Sequence, residues 1–185
     1  MFNADFKTVL KNATPYIINT LFDSIFTILG IVVGSLFGVA FDLRSLIGTL
    51  ITASISLGVS SGFSVYEAEL IQEEKRIDKI EEALLTELDD TEITDQSNSV
   101  VVNSAVLVFL TPLFSCLISM IPVFLAILGF LGANVISFYI ILLDLALIFL
   151  SGLYFGENNR LLKSLRMTVL GALVFLIGFL LNRVV

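Results

Sequence analysis

Histidine is absent from the 185-residue chain, and cysteine occurs once. The missing histidine removes the commonest metal ligand and the usual general base near neutral pH. Any metal must therefore be held mainly by carboxylates, hydroxyls, carbonyls or methionine sulfur. The lone Cys116 lies within an apolar run, so no disulfide framework exists, and it and Met120 read as packing residues. No serine–base constellation and no paired cysteines are visible, which makes an enzyme the weakest functional class. Charge is the third scarcity. Not one Asp, Glu, Lys or Arg occurs between Gln96 and Leu143, and 24–41, 45–66 and 167–182 are equally uncharged.

What fills these runs is apolar: 57% of the residues are hydrophobic. Uncharged apolar stretches of about 18 residues or more span a bilayer as helices, because lipid offers no partner for an open backbone. The expected fold is an all-α membrane protein with five transmembrane helices. Residues 1–16 form an amphipathic lead-in, with Phe2, Phe6, Val9 and Leu10 on one face and Lys7 and Lys11 outside it. Lacking a small-residue cleavage site after a short core, the N-terminus reads as a retained first helix and not a signal peptide. Helix one is expected over about 16–41, with Pro15 near its start, and helix two from about Leu46 after the polar turn Asp42-Leu43-Arg44-Ser45. Helix three covers about 100–128, kinked by Pro112 and Pro122. Helix four covers about 135–156 and helix five about 162–181, with breaks at 129–134 and 157–160. Residues 89–99 read as a loop. The corresponding regions are 1–66 (the amphipathic N-terminus and two helices), 67–99 (acidic helix and loop) and 100–185 (three helices).

Five crossings put eight of the ten basic residues on the N-terminal side, leaving only Arg44 and Arg183 opposite. The positive-inside rule then places the N-terminus and the acidic segment in the cytosol and the C-terminus outside. A compact chain without recognised targeting signals suits a prokaryotic plasma membrane.

Helix two runs with no proline and no turn cluster into residues 67–95, which hold twelve of the seventeen acids against three basic residues, and 67–88 contain neither Gly nor Pro. Leu70, Ile77 and Leu84 recur every seven residues, a seam suited to a partner helix. Glu69 and Glu73, and Glu74 and Asp78, are four apart, with Glu81 three further on, so neighbouring carboxylates share faces. Three readings stand beside one another: a solvated helix part-paired with Lys75, Arg76 and Lys79, a coiled-coil contact, or a divalent-cation site of hard oxygen ligands.

Two acids lie at membrane depth, Asp23 and Asp144, where a charge costs about 2.5–3.5 kcal/mol. Such acids are candidates for a transport path. The alternative is a protonated side chain bonded to a neighbouring helix. Ser56 and Ser60 belong to a hydroxyl-rich wall of helix two that either lines a polar path or bonds back to its own carbonyls. Glycines four apart at Gly30/Gly34/Gly38, Gly58/Gly62 and Gly152/Gly156 let backbones approach closely. They serve either packing within the chain or, most plausibly on helix one, a homodimer axis.

Taken in order, these segments resemble the vacuolar iron transporter family across all five helices. In "FDSIFTILGIVVGS" (Phe22–Ser35), Asp23 stands where the family has its pathway aspartate, and Ser24 replaces a glycine. "SISLGVSSGFSVYEAE" is similar to the second helix, "ISMIPVFLAIL" to the end of the third, and "LRMTVLGALVFLIGFLLNRVV" to the last. The resemblance implies a homodimer that exports Fe²⁺, often also Mn²⁺, from the cytosol in exchange for protons, with no permanently bound cofactor. The acidic insert would collect metal through Glu69, Glu73, Glu74 and Glu81, and Asp23 would pass it on. The chain departs from the family where Ile55 and Val59 replace a methionine and a glutamate. Its insert is also short of a full three-helix domain and contains no methionine. The contrasting expectation is a membrane-embedded scaffold whose acidic coiled coil is a docking arm and which transports nothing.

Overall fold

The computed structural model describes residues 6–36, 42–84, 92–132, 135–155 and 160–184. They form six helices: α1 (Phe6–Leu36), α2 (Leu43–Leu84), α3 (Glu92–Ser119), α4 (Ile121–Ile127), α5 (Ile136–Phe155) and α6 (Arg160–Val184). No strand occurs among the described residues. Five of the helices, all but the short α4, are long and apolar enough to cross a membrane. The protein is an integral, multi-pass, all-α membrane protein. Its outer surface agrees, with Phe114, Leu128, Phe138, Leu150 and Leu161 all more than half exposed. Water would not tolerate so continuous an apolar coat, whereas lipid does.

The boundaries differ from the sequence expectation in four places. First, α1 begins by Phe6, so Pro15 lies well inside it and residues 6–16 of the lead-in are part of the helix. Second, α2 begins at Leu43, three residues early, because Asp42 caps it. The Asp42 carboxylate accepts hydrogen bonds from the Arg44 and Ser45 amides at 3.3 and 3.0 Å, and its carbonyl accepts one from the Leu46 amide. Third, the expected loop over 89–99 is helical from Glu92, in a stretch free of Gly and Pro. Fourth, Pro122 ends a helix instead of kinking one. It has no N–H to donate backwards, so α3 stops at Ser119 and α4 restarts with proline in its first turn. The second end of α4 was legible: Gly129 adopts φ +83°, its amide donates to Ala126, and the Phe130 amide donates to Leu125, the double bond of a left-handed glycine cap. Phe2, Gly38, Asp89, Glu157 and Gly156 lie outside the described residues.

α2 is one uninterrupted 42-residue helix, as its lack of interior breakers after Gly62 predicts. The compact units do not follow chain order. One comprises Met1–Thr20 with Ser56–Thr111, the other Leu21–Ile55 with Pro112–Val185. In the first, α2 and α3 approach closely: a Cβ at Gly58 would meet the Phe109 carbonyl oxygen at 2.6 Å, and one at Gly62 the Phe109 Cβ at 2.9 Å. In the second, Ile28, Leu29, Val32, Leu50, Val123, Ile140 and Ile141 form the core. There α6 lies against α5, where a Cβ at Gly152 would meet the Ser164 Cα at 2.7 Å, and the Ser164 hydroxyl donates to the Phe149 carbonyl at 2.5 Å.

Candidate functional site

α1 carries the first group. Asp23, Gly30 and Gly34 are seven and four residues apart, so at 100° per residue they fall within about 40° of one another on one face. Along that face the glycine positions are open among the described residues. Asp23 and Gly34 are exposed, and a Cβ at Gly30 or Gly34 would meet nothing within 4 Å. The adjacent Ser24 points inward instead, fully buried, and donates to the Ser115 hydroxyl of α3 at 3.0 Å. Thus Gly58/Gly62 and Gly152 are used for packing within the chain, while Gly30 and Gly34 meet no described residue.

On the acidic extension of α2 the carboxylates do not converge. Among the described residues no three His, Cys, Asp or Glu side chains form a metal-holding group. Glu69 is buried, facing the Tyr16 hydroxyl, which also accepts a hydrogen bond from the Gln72 amide at 3.1 Å. Glu73 pairs with Arg76 at 3.3 Å, one turn along. Glu74 is exposed, and Glu81 is half-buried. Ser56 and Ser60 are likewise exposed on α2, whereas Ser54 is buried and donates back to the Leu50 carbonyl at 2.8 Å.

Asp144 presents a different environment. It is fully buried near the middle of α5, and Oδ1 accepts a hydrogen bond of 2.5 Å from the Ser119 hydroxyl of α3. Its Oδ2 is buried without a hydrogen-bond partner among the described residues. One turn back on α3 lies Cys116, beside the Ser54 hydroxyl and within electrostatic reach of Asp144. The Cys116 thiol is 3.7 Å from the Met120 sulfur. Leaving a buried carboxyl oxygen unpaired costs about 1–3 kcal/mol, so this atom is unusual in a packed interior. Ser119 and Ser115 were not singled out by sequence reasoning. Their four-residue spacing within an apolar run was the available signal, since it puts two hydroxyls on one face of α3.

No protein-family model, curated protein or solved structure matches the chain.

Proposed function

We propose that the protein exports divalent metal from the cytosol, with Fe²⁺ as the ion and Mn²⁺ as its closest alternative, in exchange for protons and as a homodimer. The observation that carries this reading is the outward placement of Asp23 beside the open Gly30/Gly34 ridge. A carboxylate exposed to hydrocarbon is costly, while glycines without neighbours suit the close approach of another helix. A second copy laid along this face would cover both and set two Asp23 carboxylates near a shared axis, where a partly dehydrated cation could be received. The acidic extension of α2, held in register with its membrane part by an unbroken helix, would concentrate cations at the cytosolic side. Protonation of Asp23 on the far side would release the ion. In this reading the N-terminus is cytosolic and the host membrane a prokaryotic plasma membrane. Resemblance to the iron transporter segments supports the same assignment.

The test is Fe²⁺ flux into proteoliposomes carrying a pH gradient. Wild type should transport and Asp23→Asn should lose most of the flux. A variant as fast as wild type would remove Asp23 from the path. No flux from the folded wild-type protein with any of Fe²⁺, Mn²⁺, Zn²⁺ or Ca²⁺ would leave the scaffold reading standing instead.

A further inference from the structure

We propose that Cys116, Met120 and Asp144 form a second metal site, buried inside a single protomer and suited to a thiophilic or borderline transition-metal ion. Cys116 lies within electrostatic reach of Asp144, and three observations bear on the pair. The Asp144 Oδ2 oxygen is fully buried and has no hydrogen-bond partner among the described residues, although Ser119 holds the other oxygen at 2.5 Å and so fixes the carboxyl group. The two sulfurs are 3.7 Å apart. Two sulfurs each about 2.3 Å from one tetrahedral ion would themselves be about 3.8 Å apart, so the pair already has the spacing that joint ligation requires. Finally, the surroundings are dry: Leu50, Val123, Ile140 and Ile141 belong to the same buried cluster as Cys116 and Met120.

The chemistry selects the ion. Thiolate and thioether ligands favour soft and borderline metals, whereas Mg²⁺ and Ca²⁺ want oxygen alone. On binding, the Cys116 thiol and, where it is protonated, the Asp144 carboxyl each release a proton to bulk water as their bonds to the metal form. One thiolate and one carboxylate then balance a divalent charge, which offsets much of the penalty for burying it. The Met120 side chain, with three rotatable bonds, can adjust to close the shell, and Ser54 or Ser119 could add a hydroxyl oxygen. This site lies on α3, the α3–α4 joint and α5, not on the exposed face of α1, and does not rest on the export reading.

Cys116 is the only cysteine in the chain, and there is no histidine. A thiolate-to-cobalt charge-transfer band in the near ultraviolet can therefore arise from this residue alone. Detergent-solubilised full-length protein titrated with Co²⁺ should develop a saturable band, displaced by Zn²⁺ or Cd²⁺ and unaffected by excess Mg²⁺ or Ca²⁺. Cys116→Ser should abolish it. Met120→Leu, which conserves volume and packing, and Asp144→Asn should each weaken Co²⁺ binding by at least the roughly tenfold that loss of even an outer-shell partner costs. Far-ultraviolet circular dichroism establishes that each variant is folded, and Met120→Leu decides the matter if Asp144→Asn is not. Absence of the band from wild type, or affinity unchanged in a folded Met120→Leu protein, overturns the proposal.

Discussion

Replacing Gly58 by alanine tests the close approach of α2 and α3. The added Cβ would stand 2.6 Å from the Phe109 carbonyl oxygen, and must retreat about 0.8 Å to reach the 3.4 Å at which ordinary contact begins. The obstructing atom is α3 backbone, which cannot rotate aside as a side chain would. Relief requires the two helices to separate, loosening the neighbouring Gly62–Phe109 contact as well. Overpacking of this kind costs up to about 3 kcal/mol. Alanine's helix preference over glycine returns about 1 kcal/mol, leaving a net loss of about 2 kcal/mol. SDS titration in mixed micelles, followed by circular dichroism, should move the unfolding midpoint to lower SDS fraction. Gly34→Ala is the internal comparison. Nothing lies within 4 Å of its Cβ, so the protomer should be unchanged or stabilised by up to about 1 kcal/mol. A Gly58→Ala protein as stable as wild type would refute the close approach of α2 and α3.

Two smaller perturbations probe polar contacts. A double-mutant cycle of Ser24→Ala and Ser115→Ala should give a coupling energy of about 0.6 kcal/mol, the average for interhelical hydrogen bonds in membranes; zero coupling in the same SDS titration would mean that the 3.0 Å contact is not made. Tyr16→Phe removes the hydroxyl facing buried Glu69 and Gln72 and should cost about 1–3 kcal/mol, more than Arg76→Ala, whose ion pair with Glu73 is solvent-facing on the arginine side and contributes at most about 0.5 kcal/mol.

Much of the architecture was legible because lipid imposes a one-dimensional rule. Length and absence of charge mark a span whatever surrounds it, and this identified all five. The glycine cap at Gly129 was equally local. Helix ends were less legible. Asp42 was read as part of a turn, although its carboxylate caps the two amides beyond it. Residues 92–99 looked like a loop because Thr, Ser, Asn and Asp disfavour helix interiors, yet nothing in them forbids one. Pro122 was expected to bend a helix and in fact divides two. The glycine pairs show the limit most clearly: spacing alone does not say which ridge is used inside the chain, but among the described residues Gly58, Gly62 and Gly152 meet a neighbour whereas Gly30 and Gly34 do not.

The site divides in the same way. Sequence alone established that the protein crosses a membrane five times, that α2 leaves the apolar region without a break, and that Asp23 and Asp144 are the acids at membrane depth. These follow from composition and from spacing along one helix, where geometry is known in advance. Tertiary structure decided which way each acid points. Asp23 faces outward with Gly30 and Gly34, while Asp144 is enclosed with Ser119 near Cys116 and Met120. The two cannot be told apart from their own segments, since burial depends on which neighbouring helix covers a face, and that is fixed only when residues far apart in the chain pack together.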